Sequence, residues 1–301
     1  MIRKLTLIAT ISLFLVIGYL FFPFNTSSSV KLGNDHSYFN RSDKEIVNIQ
    51  PPLFIQPLEN LAEKIIAVKQ KNYSEPRQWG ENVTNVIRNF NTDKKVVALT
   101  FDACGGEFGS GYDEKLINFL ITEKIPATLF VNSRWIDTNL ETFLYLASLK
   151  QFQIENHGTE HRPLSIKGGT AWGIKGTTSV DEVIAEVVTN YEKIKNLTGH
   201  ESRYFRSGTA FYDEVAVQIV EDLGMKVVNY DILGDAGATF TANQVKEALL
   251  KAQPGSIALL HMNQPSKGTA AGVQMAIPLL KELGFSFITL DEGERLDESL
   301  Q

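Results

Sequence analysis

Two histidines four residues apart, His157 and His161, are the clearest pointer to chemistry in this sequence. On a helix that spacing sets both imidazoles on one face. Just after a strand, it could equally bend both rings toward one ion through a turn. Arg162-Pro163-Leu164 follows the pair, and the proline favours a fixed turn over an open helix. Imidazole is a common ligand for divalent metals. Solvated pairs with the same spacing are also common, so the pair acquires meaning only from its partners.

The partners sit at the ends of short apolar runs. Residues 96–101 lead into Asp102, residues 152–154 into Glu155, Asn156 and His157, and residues 204–205 into Arg206. Residues 227–230 lead into Asp231, with Asp235 four positions on, and residues 257–260 lead into His261. Core packing does not call for charges at such positions. Gly105 and Gly106 follow Asp102 and allow the backbone an unusual path or the close approach of a ligand. Cys104 between them and Asp102 reads first as a small buried hydrophobe, and second as a thiolate ligand. A buried Arg206 requires a partner, and Asp102 is the carboxylate at hand. For Asp231 the expected role is to orient the ring of His261.

The elements that must position these residues form a regular series. Strands are expected at 96–101, 127–132, 152–157, 204–206, 227–231, 256–261 and 286–290. Helical periodicity appears at 113–122, 140–149, 180–196, 212–223, 242–252 and 270–283, with Thr241 as an N-cap. Strict alternation argues for parallel strands joined by right-handed crossovers. Short, fully apolar strands are buried on both faces. A closed or nearly closed α/β barrel fits, with an open doubly wound sheet as competitor. Either architecture gathers the C-terminal strand ends on one rim.

The 301 residues carry a net charge of −6 and show no basic face, which argues against a nucleic-acid partner. A single cysteine excludes an internal disulfide. Arg3 and Lys4 precede an uncharged apolar run over residues 5–24, long enough to span a bilayer core. Residues 1–24 therefore read as a signal-anchor, or else as a cleaved signal peptide. Both place the remainder outside the cytoplasmic membrane. Residues 25–93 read as a juxtamembrane linker with a short helix near residues 58–68, and residues 94–293 as the catalytic domain.

The order Thr100-Phe101-Asp102, His157 and His161, Arg206, Asp231 and Leu259-Leu260-His261 resembles that of the NodB-homology polysaccharide deacetylases, carbohydrate esterase family four. The similarity runs from about Lys94 to about Gly293 and extends to Pro126-Ala127-Thr128-Leu129-Phe130-Val131 and Pro254-Gly255-Ser256-Ile257. It implies a distorted (β/α)7-type barrel, one divalent metal ion and an acetylated polysaccharide as substrate. Zinc is the expected ion, with cobalt, nickel or manganese as alternatives. By resemblance, Asp102 is the general base, His157 and His161 are metal ligands, Arg206 holds the base, and His261 is the general acid.

The chain departs from the family pattern at three places. The family's second aspartate, a ligand, is Ala103 here. Ser207-Gly208-Thr209 replaces its x-Pro-Tyr, and Asp231-Ile232-Leu233-Gly234-Asp235 lacks its tryptophan. Asp102, Cys104, Asn156 or a water are candidates to replace the lost ligand. The departures keep a non-catalytic glycan-binding barrel as an alternative, and a carbohydrate O-acetyl esterase as a closer one. A glycosidase built on Asp102 with Asp231 or Asp235 leaves the histidine pair without a role. Trp135, Trp172 and Phe211 are candidates to stack on sugar rings. The oligomeric state is not written in the sequence.

Overall fold

Residues 60–70 fold into the first element that the computed structural model describes; it describes residues 60–297. Helix α1 (Leu61–Gln70) opens on a capping box in which Asn60 and Glu63 satisfy each other's backbone N–H groups. β1 (Val96–Ala103) follows, then α2 (Glu114–Thr122), β2 (Ala127–Val131), α3 (Ser133–Thr138), α4 (Leu140–Ser148) and β3 (Phe152–Asn156). A two-stranded hairpin, β4 (Thr170–Ala171) and β5 (Ile174–Lys175), precedes the long α5 (Val180–Thr198). The remaining elements are β6 (Tyr204–Phe205), α6 (Glu214–Asp222), β7 (Lys226–Val227), β8 (Ile232–Leu233), α7 (Ala242–Leu249), β9 (Ser256–His261), α8 (Thr269–Glu282), β10 (Ser286–Ile288) and α9 (Leu290–Leu296).

The sheet order is β7-β6-β3-β2-β1-β9-β8, with β10 also paired to β1. Every pairing in this sheet is parallel. The strand path ends at β7 and β8, so the barrel is incomplete. Residues 87–90 tie its two sides, because Ile87 bridges Val228 and Asn89 bridges Ser256.

Side-chain alternation divides the core into layers. From β1, Val97, Leu99, Phe101 and Ala103 join an outer cluster with Leu116, Ile117, Val273 and Ile277 of the covering helices. Val96 and Ala98 face the barrel interior with Phe130, Tyr204, Ile257 and Leu259. A third cluster packs α5 and α6 against β6 and β7. Each fully buried Leu, Ile or Phe contributes about 1.5–3 kcal/mol relative to exposure, so helices and sheet are fixed mainly by this burial.

Two expectations change. Residues 60–93 are not a linker. They belong to the same compact unit as the barrel, with α1 packed on α5 and α6 and Gly80 bridged to Tyr212. Apolar residues Val68, Val83 and Phe90 are buried there, which no solvated linker allows. Second, the strand expected at 227–231 is two strands, β7 and β8, separated by a bend at Asp231. The expected membrane segment, residues 1–24, lies outside the described residues; among those described, no helix is long and apolar enough to cross a membrane.

Candidate active site

Parallel register carries the reactive residues to one rim. Asp102 lies opposite His261 on β9 and opposite Phe130 on β2. Asn156 pairs with Phe205, so His157 and Arg206 follow side by side on β3 and β6. Asp102 continues the inward-facing column of β1, whereas Ala103 points into the outer apolar layer. A carboxylate at 103 would therefore have to leave that layer to reach the mouth.

Arg206 is fully buried and all three of its guanidinium nitrogens donate hydrogen bonds. Nη1 donates to Asp102 Oδ1 at 2.9 Å and to Thr100 Oγ1 at 2.8 Å. Nε donates to the Val228 carbonyl and Nη2 to that of Asn229. The group lies 4.3 Å from the ring centroid of Phe130, a cation–π contact. The expected pairing with Asp102 is present, and its fixed geometry leaves Oδ2 of Asp102 as the free acceptor, 3.6 Å from His157 Nε2.

The histidine pair lies on a loop, and the two rings meet edge to face with centroids 5.0 Å apart. His161 takes a left-handed backbone conformation, φ 64°. Nδ1 of His157 donates to the Arg206 carbonyl at 3.0 Å, which leaves Nε2 as the acceptor or ligand atom. Burial pushes the His157 ring down in pKa, but the neighbouring Asp102 charge raises it overall. Nε2 of His161 is buried without a hydrogen-bond partner. Gly208 lies under this ring, and a Cβ there would come 2.2 Å from His161 Cγ. The glycine in place of a larger residue thus makes room for the second histidine.

Glu186 and Asn132, which hold this loop, were not singled out from the sequence. Glu186 of α5 accepts backbone N–H bonds from Thr159, Glu160 and Arg162 at 2.9–3.2 Å. Burial raises its pKa despite these bonds. Asn132 donates to the carbonyls of His157 and Gly158. Asn156 accepts from Gly158 N and from Asn190; it is structural, not a spare ligand. The faint signal was polarity on otherwise apolar faces: Glu186 and Asn190 are buried on the inner side of α5.

Cys104 lies beside the histidines. Its Sγ and one ring nitrogen from each of His157 and His161 all lie within 4.8 Å of one another, and Sγ is 3.8 Å from His157 Nε2. Burial would push the thiol up, but the His161 charge and the contact with His157 hold it well below the usual thiol range. An unpartnered buried imidazole nitrogen beside a second imidazole and an acidified thiol suits a divalent transition metal. The residues present therefore fit the ion that the family pattern implies.

His261 is oriented by Asp235, not by Asp231. Nδ1 donates to Asp235 Oδ1 at 2.8 Å, and the His261 backbone N–H donates to Oδ2 at the same distance. Thr269 also donates to Oδ2. Burial lowers the His261 pKa, but the Asp235 charge and hydrogen bond outweigh it and hold the ring well above its usual value. Burial likewise raises Asp235, and the imidazolium charge lowers it overall. Asp231 sits at the opposite end of β9, where it accepts from Ser256 Oγ and Ile257 N. The cause is register: Leu233 pairs with Leu259, which carries position 235 to the level of 261 and leaves 231 at the level of 257.

Of the aromatic candidates, Trp135 is buried and donates to the Gly111 carbonyl, so it is an anchor and not a sugar platform. Trp172 is 73% exposed and packs edge-on against Phe211.

A parallel incomplete barrel thus gathers the Asp102–Arg206 pair, the His157–His161 pair and the Asp235–His261 pair at one rim. Residues 89–228 match the family described as Polysaccharide deacetylase. The chain is 26% identical over 238 residues to an uncharacterized 30.6 kDa protein of Geobacillus stearothermophilus, covering 74% of this chain and 82% of that one. It is 26% identical to the peptidoglycan-N-acetylglucosamine deacetylase PgdA of Listeria monocytogenes, over 67% of this chain but only 40% of PgdA. In structure it is similar to BA3943 of Bacillus anthracis, a pseudoenzyme of carbohydrate esterase family 4 (TM-score 0.59, 21% identity, 70% of each chain).

Proposed function

We propose that this protein removes acetyl groups from an N-acetylated polysaccharide, a peptidoglycan or chitin-like glycan, outside the cytoplasmic membrane. The observation that carries the reading is the convergence of Asp102, Arg206, His157, His161 and His261 at one rim, with the base clamped and the acid held protonated. The basic, apolar N-terminus is the support for an extracytoplasmic, membrane-anchored location.

A divalent ion on the imidazole pair would supply Lewis acidity toward the acetyl carbonyl and the attacking water. Asp102 takes the proton of that water through Oδ2, since Oδ1 is engaged by Arg206. Arg206 keeps the carboxylate ionised and aimed. The Gly208 and Thr209 N–H groups lie in the turn beside His161 and are candidates to hold the oxyanion; those of Ser207 and Ala210 are already bonded to Tyr212 and Ser207. The amide C–N bond breaks as His261 gives its proton to the leaving amine, and the acyl carbon leaves as acetate. An amine leaves poorly unprotonated, which is why the raised pKa of His261 matters.

Acetate release from N-acetylglucosamine oligomers and from peptidoglycan tests the proposal, measured with and without a chelator and in Asp102→Asn. Activity that survives both treatments would sink it. A second reading, a glycan-binding barrel without catalysis, is favoured by Ala103 and by the missing tryptophan after Asp235. It would show glycan binding with no acetate under any metal.

A further inference from the structure

Three donors of the type that bind transition metals meet at the barrel mouth. Cys104 follows β1, His157 follows β3, and His161 lies four residues further along the same loop. Their donor atoms lie within 4.8 Å of one another. The tautomer of His157 is fixed by the Arg206 carbonyl, so Nε2 presents its lone pair 3.8 Å from the Cys104 sulfur. Nε2 of His161 is buried and unpartnered. A buried polar atom left without a partner is destabilising, a cost that ligation would remove.

The other acceptors nearby are committed, except Oδ2 of Asp102, which lies 3.6 Å from His157 Nε2 and which the proposed reaction reserves as the base. Oδ1 of Asp102 belongs to Arg206. Asn156 accepts from Gly158 and Asn190 and donates to the Val187 carbonyl. Ala103 lies in the outer apolar layer. Cys104 is the donor that remains.

We propose that Cys104, as a thiolate, is the third protein ligand of the metal beside His157 and His161, and that the centre therefore selects zinc or cobalt(II) over manganese or magnesium. On binding, the S–H bond breaks, its proton goes to solvent, and a sulfur–metal bond forms. One thiolate and two imidazoles leave a fourth position open, as catalytic zinc sites require. Oxygen-preferring ions gain little from such a set. Asp102 is thereby released from ligation and stays available as base. The inference rests on the metal-assisted reading of this rim, but concerns the ligand set and not the reaction.

The test is X-ray absorption on the full chain loaded with one zinc, alongside optical spectra of the cobalt(II) form. Expected are a sulfur scatterer at about 2.3 Å with nitrogen at about 2.0–2.1 Å, and a thiolate-to-cobalt charge-transfer band. Both sulfur signatures should vanish in Cys104→Ser, with folding checked by circular dichroism. Zinc affinity should fall in that variant by more than the roughly 10–100-fold typical of an outer-shell loss, and manganese affinity should change little. In the wild-type chain, zinc should slow alkylation of the thiol by iodoacetamide and manganese should not. A shell of nitrogen and oxygen alone, zinc that leaves alkylation unchanged, or no stoichiometric zinc binding would each overturn the proposal. A sulfur-ligated zinc without acetate release would defeat the deacetylase reading and leave this one standing; acetate release without sulfur would do the reverse.

Discussion

Asp235 accepts the ring N–H of His261 at 2.8 Å through Oδ1 and its backbone N–H through Oδ2. One carboxylate thus fixes both the strand end and the ring that projects from it. The pair is buried on the acid side, so the ion pair raises the imidazole pKa above its usual value and lowers that of Asp235. In the proposed reaction the protonated ring is the active form. Activity should therefore persist above the usual histidine range and fall as pH rises through the raised pKa.

Asp235→Asn removes the charge that raises His261. The alkaline limb of the kcat profile should move to lower pH, and kcat at neutral pH should fall by about 10²–10⁴, the usual range for losing a positioned acid. Asp231→Asn, at the far end of β9, should leave the limb in place. A limb that moves with Asp231 and not with Asp235 would contradict the assignment. Steady-state acetate release across pH measures both.

The order of reactive residues was legible because parallel strands present their C-terminal ends together, so Asp102, His157, Arg206 and His261 needed no contact information. Asp231 was misplaced because the sequence reads as one strand from 227 to 231. The chain instead bends there and starts β8 one residue later, and register moves the functional acid four positions on. The linker reading of residues 60–93 failed for a related reason. Ile87 and Asn89 make single bridges to the barrel rather than a ladder, and no periodicity signals a bridge. Glu186 was hidden by its helix, since a lone acid on α5 differs from a solvated one only in what it touches.

The Asp102–Arg206 pair separates stability from chemistry. Asp102→Asn keeps an oxygen to accept from Arg206 and loses only the basic group. Acetate release should drop by about 10²–10⁴, with a smaller loss of stability than Arg206→Met causes, because the amide oxygen still accepts from Arg206 although its counter-charge is gone. Arg206→Met strands Asp102 in a buried site without its cation, and breaking such a pair costs about 3–5 kcal/mol. The variant should unfold at clearly lower denaturant concentration. Equal stability of wild type and Arg206→Met in urea titration would show that the pair carries no structural weight.

Glu186 holds the loop between the two histidines by receiving the N–H groups of Thr159, Glu160 and Arg162. Glu186→Ala leaves these donors without their acceptor, at about 1–3 kcal/mol for each that stays buried. Metal affinity and stability should fall together. Glu186→Gln keeps one acceptor oxygen and should recover a large part of both. Zinc titration and thermal unfolding on the same samples check whether the two losses track each other.

Gly208 offers a sharper perturbation of the same centre, because the atoms nearest to a side chain placed there all belong to His161. A Cβ at 208 would stand 2.2 Å from His161 Cγ and 2.5 Å from the His161 backbone carbonyl. Neither atom can retreat freely, since Glu186 pins the preceding backbone and the neighbouring Arg162. Gly208→Ala should therefore displace the His161 ring while Arg206, two residues earlier, keeps its four hydrogen bonds. The expected result is a loss of zinc affinity of at least about 10–100-fold, the scale of a misoriented ligand. Overpacking should cost only about 1–3 kcal/mol in stability. Acetate release should be restored in part by excess zinc, which a defect in Asp102 or His261 would not permit. If Gly208→Ala binds zinc as the wild type does, His161 does not reach the metal from the position that the structure gives it.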